Sequence, residues 1–183
     1  MVSARTQVHL LVDVYNVIGA WPQLTRTRDQ ESLEMARHHL VEALANYSAY
    51  QDWRTNLVFD AYAQNTPVAK ELITAHLSVH YTEFGQTADS YIEKWCALRR
   101  PQVLASQQRL IVATSDRAQR LTVTGYGAEW MSAQQLAQEV ITTQARDRRH
   151  RQRPQATPQR FLASSLAPET QERLKKLRFG LKD

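Results

Sequence analysis

One cysteine in 183 residues removes two chemistries at once. Cys96 has no second thiol in the chain for a disulfide, and no thiolate metal cluster can be built around it, so a buried, inert thiol in a reducing compartment is expected. Five glycines rule out a Gly-rich low-complexity chain. None of them forms the Gly-rich loop that cradles phosphates, which excludes nucleotide hydrolases of the P-loop type. A GxSxG elbow and a usable Ser/His/Asp set are also missing. No apolar stretch approaches the length of a membrane span. Residues 1 to 20 lack the basic start, apolar run and small-residue cleavage site of a secretory signal, so a soluble cytoplasmic protein with no membrane association is expected. Histidine adds little. The rings of His38 and His39 diverge on one predicted helix. His76 and His80 are four apart, but with neither the glutamate of an HExxH helix nor a cysteine ligand they do not make a zinc site.

The length suits one α/β domain with a substantial core plus an appendage, and a second full domain is not expected. The net charge of +5 is unevenly placed. Residues 146 to 183 hold 11 Lys or Arg against 4 Asp or Glu, giving +7, and the first 145 hold 12 against 14, giving −2. The run Arg146-Asp-Arg148-Arg149-His-Arg151-Gln-Arg153 attracts polyanions, of which nucleic acid is the commonest in a cytoplasm. A solvated basic end to a helix is the alternative, and charge alone leaves both open.

Three apolar stretches end on an acid: His-Leu-Leu-Val-Asp13, Asn-Leu-Val-Phe-Asp60 and Leu-Ile-Val-Ala-Thr-Ser-Asp116. A fourth carboxylate, Asp89, opens a predicted helix. In an open parallel sheet the ligand sits outside the carboxyl ends of the strands, so acids there converge on one crevice. Their mutual repulsion is tolerated when a hard cation such as Mg²⁺ or Mn²⁺ neutralises them. Metal-assisted phosphoryl chemistry is the first expectation.

The order of elements is consistent with that sheet. Strands are predicted over Gln7–Asp13, Thr55–Phe59, Leu77–Tyr81, Arg109–Ala113 and Glu129–Met131. A helix runs from Asp29 to about Tyr50 with Leu33, Leu40, Val41, Leu44 and Tyr47 at helical spacing, capped by Asp29 or Ser32. One helical turn is expected after Pro67. Thr87 caps a helix bearing Tyr91, Ile92, Trp95 and Leu98, which Pro101 should end. Ser115 is expected to cap a helix from Asp116 to about Val123, stopped by Gly125 and Gly127. Ser132-Ala-Gln-Gln135 is a capping box for a helix with Leu136, Val140 and Ile141 that extends toward the basic run. Pro154 and Pro158 mark a linker, and residues 168 to 179 form a last amphipathic helix. Alternating strands and helices predict a mainly parallel sheet with helices on both faces.

Asp13 and Asn16 fall in one strand-to-loop turn, where both can face a cation. A lone aspartate there is more often a turn residue; its three acidic companions favour function. Asp89 and Glu93 share a helix face, a like-charge pair costing a few tenths of a kcal/mol unless compensated. Thr114 and Ser115 can orient water or substrate beside Asp116, and Asp60 is either a fourth acid or a turn cap.

The series Leu-Leu-Val-Asp13-Val-Tyr-Asn16-Val-Ile-Gly-Ala-Trp-Pro, Val-Phe-Asp60-Ala, Thr87-Ala-Asp89-Ser-Tyr-Ile-Glu93 and Thr114-Ser115-Asp116 with Ala-Glu-Trp-Met-Ser132-Ala-Gln-Gln-Leu behind it resembles the YacP-like branch of the NYN-domain nucleases. The similarity covers about residues 7 to 145 in order. It implies a PIN-like three-layer α/β fold over residues 1–150, a basic extension over 151–183, and a Mg²⁺- or Mn²⁺-dependent ribonuclease, usually endonucleolytic. Carried over by position, Asp13, Asp89 and Asp116 are the metal-binding acids, and Asn16 supports the first. Glu93 and Ser115 support the set, and Asp60 matches a position of the branch. Two residues depart from the pattern: Val14 stands where a glycine is usual, and Ser90 where an acid is often found. An active enzyme with altered rate or metal preference is the expectation.

The implied reaction is hydrolysis of an RNA phosphodiester by an activated water. Arg146, Arg148, Arg149, Arg151 and Arg153 would grip RNA backbone without reading sequence, and mRNA or rRNA near the ribosome is the suggested target. Two rivals stand beside this. A haloacid-dehalogenase-like phosphatase also keeps acids at strand ends, but Asp13-Val-Tyr lacks the second aspartate two residues on. A noncatalytic RNA-binding adaptor would use the basic tail alone.

Overall fold

The computed structural model describes residues 6–60 and 70–152. Along the chain these form β1 (Gln7–Asp13), α1 (Val14–Ala20), α2 (Pro22–Gln30), α3 (Leu33–Gln51), β2 (Arg54–Phe59), β3 (Lys70–Leu72), β4 (Leu77–Tyr81), α4 (Ala88–Leu104), β5 (Gln108–Ala113), α5 (Arg117–Gly125), β6 (Glu129–Met131) and α6 (Ala133–Gln152). The helical turn expected after Pro67, the linker at Pro154 and Pro158, and the helix over 168–179 lie outside the described residues. One compact unit extends to Arg146, and of the unit that begins at Asp147 only the end of α6 is described.

The strands make one six-stranded sheet in the order β3-β4-β2-β1-β5-β6. β1 pairs in parallel with β2 (Asp13 opposite Val58) and with β5 (Val12 opposite Ala113), β4 and β6 extend the parallel set, and only β3 is antiparallel. Alternation along β1 explains the layering. Leu10 and Val12 join a core with Leu40, Leu44 and Tyr47 of α3 and Leu136 and Val140 of α6, and Leu11 points the other way, into a core with Ile92 and Cys96 of α4 and Val123 of α5. A strand buried on both faces reads as a continuous apolar run, as β1 does. The result is the expected three-layer α/β fold. No helix among the described residues is long and apolar enough to cross a membrane.

Several expectations need correction. α1 and α2 occupy what read as a loop between Asp13 and Asp29, and β3 was not anticipated. α3 is capped by Ser32, whose side chain accepts from the Met35 amide at 3.1 Å, and Asp29 lies inside α2. α4 does not stop at Pro101 but runs on to Leu104. The bond that proline removes would have ended on the carbonyl of Ala97, an exposed residue where water can replace it, and Pro101's own carbonyl accepts from Ala105 at 3.0 Å. Leu98 faces solvent at 69% exposure, and Cys96 takes the core position one turn after Ile92. Burial pushes the Cys96 thiol up to about 12, as expected of an inert thiol. Ile141 of α6 is also exposed.

Candidate active site

Asp13 ends β1 and is the N-cap of α1, with its carboxylate accepting from the Asn16 amide at 3.2 Å. Asp89 lies in the first turn of α4, behind the Thr87 cap. Asp116 follows β5 and is the N-cap of α5, its Oδ1 accepting from Ala118 at 2.6 Å and Gln119 at 3.1 Å. Each of the three acids therefore sits at a helix N-terminus, where free N–H groups and the positive end of the dipole offset about 0.3–1 kcal/mol of the cost of each charge. That compensation is partial.

Asp13 is only 7% exposed, and its carboxyl is pushed up to about 7. Burial is the main cause, the Asn16 amide opposes it, and the charges of Asp89, Asp60 and Asp116 add to it. Asp89 is also raised, by burial and then by Asp116, Asp60 and Glu93, against a hydrogen bond from Asp13. Neighbouring carboxyls cannot both ionise cheaply, and both are therefore pushed toward the neutral form.

Asn16 spans the site. Its backbone N–H caps toward Asp13, and its side-chain carbonyl accepts from the Ser115 amide at 2.6 Å, tying the turn after β1 to the turn after β5. Ser115 contributes that backbone group and does not cap α5 as expected; Asp116 does, with its own N–H donated to Thr114 Oγ1 at 3.1 Å. Asp60 accepts a hydrogen bond from the Ala88 amide, so it pins the start of α4, and with it Asp89, to the end of β2. Glu93 stands one turn beyond Asp89 and acts on it through charge. Val14 is fully buried in the core and Ser90 bonds to the Thr87 hydroxyl at 3.0 Å, so both departures serve packing and capping. At the end of α6, Arg146, Arg148 and Arg149 are exposed, Arg151 falls in the last turn, and Arg153 lies outside the described residues.

One residue not singled out from sequence joins the site. Gln119 of α5, 2% exposed, donates its Nε2 to Asp89 at 2.5 Å, and its Oε1 is buried without a partner. Arg37 of α3 donates to the Tyr15 hydroxyl, and its guanidinium lies 5.1 Å from the Tyr15 ring centre and 5.7 Å from that of Phe59. Tyr15 occupies the position where a haloacid-dehalogenase-like phosphatase would need its second aspartate. Gln119 had one available signal, since Asp116-Arg-Ala-Gln119 has capping-box spacing, but its amide turns to Asp89 instead.

Among the described residues no three histidine, cysteine or carboxylate side chains form a ready-made metal-ligand set. Asp13, Asp89 and Asp116 act on one another through charge, and Asp116 is also the cap of α5. Mg²⁺ needs no closed set, because it keeps several waters and is held through one or two carboxylates. Asp13 and Asp89, both pushed toward the neutral form by burial and by neighbouring acids, fit that requirement.

A mainly parallel α/β sheet with carboxylates gathered outside its carboxyl edge is the nuclease-type architecture of NYN domains. The model of the YacP-like NYN domain matches residues 10–179, and the chain belongs to that family. It is 39% identical over 138 residues to the uncharacterized protein YacP of Bacillus subtilis (strain 168), covering 75% of this chain and 77% of that one. Two crystal structures of Rae1 (YacP) from Bacillus subtilis superpose on it. A mutant form gives a TM-score of 0.67 at 29% identity, over 93% of this chain and 99% of that one, and the other structure gives 0.65 at 36%, over 93% and 94%.

Proposed function

We propose that the protein is a divalent-metal-dependent endoribonuclease that hydrolyses RNA phosphodiester bonds at Asp13, Asp89 and Asp116. The observation that carries this reading is the convergence of Asp13, Asp60, Asp89 and Asp116 on one site, close enough for their charges to act on one another, in a chain of the YacP-like NYN family. Asp13, Asp89 and Asp116 would hold Mg²⁺ or Mn²⁺, which would neutralise their mutual repulsion. When bound, the cation supplies Lewis acidity to an attacking water and neutralises charge on the scissile phosphate. Asn16 keeps the turns carrying Asp13 and Asp116 in register, Asp60 and Gln119 hold Asp89 in place, and Glu93 and Ser115 complete the surroundings. No side chain need attack the phosphorus.

Residues 1–150 would act as the nuclease domain and 151–183 as a basic extension. Arg146, Arg148, Arg149, Arg151 and Arg153 would contact phosphates, which supply affinity and position without base readout. RNA at or near the ribosome is the proposed substrate, and the cytoplasm the proposed compartment.

The test is cleavage of a labelled single-stranded RNA by the full chain with Mg²⁺, with Mn²⁺ and with EDTA. Cutting that requires metal and falls at least a hundredfold in Asp13→Asn and Asp116→Asn, with RNA affinity retained, is expected. RNA binding without cutting under every condition, ribosomes added, would overturn the nuclease in favour of an adaptor.

A further inference from the structure

At the other end of the sheet from the carboxylates lies a cavity of about 190 Å³, bounded by the early residues of β1, β2 and β4, by β3, and by the second half of α4. Its charge is opposite in sign to that of the acidic site. Arg54, Lys70 and Arg99 line it with His76, and Trp95 forms a wall over which the Arg99 guanidinium lies 4.4 Å from the ring centre. His9 belongs to its inner wall, 6% exposed, with both ring nitrogens buried and neither hydrogen-bonded within the protein.

A histidine that merely fills a core has its N–H satisfied, because burying an unmade hydrogen bond is costly. His9 instead borders a cavity among cations. Burial, then Arg99, then Arg54 lower its pKa to about 4, so the ring is neutral and keeps one N–H to donate. The rim acid Asp52 is 72% exposed and sits 3.8 Å from His76, too far into solvent to neutralise the interior. An anion with several acceptor oxygens would meet both guanidinium groups together, beside the His9 ring.

We propose that this cavity is a second binding site, specific for a phosphate group. Its volume is below the roughly 300–1,000 Å³ of pockets that enclose drug-sized ligands, so it would take the phosphate and not a whole nucleotide. Two sources share that chemistry, inorganic phosphate and the 5′-phosphate of an RNA strand. Asp89 and Arg99 are ten residues apart on α4, about 15 Å of helix rise, so the occupant is clear of the carboxylates. The inference therefore stands whether or not the nuclease reading does.

The test is calorimetric titration of the full chain in EDTA, first with inorganic phosphate and then with a short oligoribonucleotide bearing a 5′-phosphate or a 5′-hydroxyl. Saturable phosphate binding is expected in the wild type. It should weaken at least tenfold in Arg54→Gln/Arg99→Gln and stay unchanged in Arg109→Gln, whose arginine pairs with Glu129 outside the pocket. A preference for the phosphorylated strand that disappears in the double variant assigns the pocket to RNA ends; phosphate binding with no such preference assigns it to the free ion. The His9 ring resonances of the wild type should shift with phosphate, a readout that needs no variant. Unmoved resonances, no saturable binding, or binding undiminished in a double variant that melts like the wild type would overturn the proposal.

Discussion

Gln119 is nearly inaccessible to solvent and spends its amide on one carboxylate, leaving its own Oε1 unpaired. A buried unpaired carbonyl costs about 1–3 kcal/mol, which a residue chosen for packing alone would avoid. The bond to Asp89 explains it, because a hydrogen bond to a charged acceptor contributes about 1.5–3 kcal/mol and fixes where that carboxylate points. Gln119→Leu is therefore expected to hold or slightly raise thermal stability while weakening Mn²⁺ binding about 10- to 100-fold, the usual range for a group that orients a ligand. Calorimetric Mn²⁺ titration beside a melting curve checks both, and unchanged affinity would reduce Gln119 to a packing residue. Asp13 is the harsher case. Its partly protonated state at neutral pH disfavours the cation that the site is proposed to hold, so metal affinity should climb as pH rises through about 7.

At the scale of elements, the acids double as helix starts, and the two duties can be separated at Asp116. Its Oδ1 accepts from two amides of α5, and Asn can do the same, so Asp116→Asn should keep stability within about 0.5 kcal/mol and Asp116→Ala should lose about 1–2 kcal/mol. If the proposed chemistry needs the charge, both lose RNA cleavage; equal urea midpoints for the two variants would refute the capping role. The same double duty governs what could be read from the residues in order. β1, β2, β4, β5 and β6 were legible because apolar runs bounded by polar residues mark buried parallel strands. α1 and α2 were not, because Val14, Val17 and Ile18 are β-branched and the stretch follows a strand without a break; the signs were Asp13 as cap and Pro22 at the first position of α2. Pro101 misled because the bond it removes falls on the carbonyl of the exposed Ala97, where water can replace it. In the site, Asp13, Asp89 and Asp116 were legible as charges at element ends. The bond from Gln119 to Asp89 depends on side-chain direction across α4 and α5, which no local pattern encodes.

Across the whole molecule, β1 carries two buried titratable groups whose shifts run opposite ways. His9 near its start is lowered to about 4 from 6.5, and Asp13 at its end is raised to about 7 from 3.8. Between pH 4 and 6.5 the unfolded chain protonates the histidine and ionises the aspartate, and the folded chain does the reverse. For Asp13 the folded state binds the extra proton, so its contribution is complete below pH 3.8 and is lost as pH rises through 7. For His9 the unfolded state binds it, so stability is lost as pH falls from 6.5 toward 4. Each slope is about 1.4 kcal/mol per pH unit in magnitude, and in this window they cancel. The metal-free wild type should therefore show no pH dependence from these two groups between about pH 4.5 and 6. Asp13→Asn leaves His9 uncompensated, and relative to wild type its unfolding free energy should rise with pH by about 1 kcal/mol per unit. His9→Phe leaves Asp13 uncompensated and should tilt by a similar amount the other way. Urea unfolding of the three proteins in EDTA across that window measures both tilts, and parallel lines would show that the two ends of the strand do not titrate as described. The cancellation also has a functional side. A cation that replaces the proton on Asp13 removes one slope and leaves the other, so saturating Mn²⁺ should give the wild type the pH dependence of Asp13→Asn.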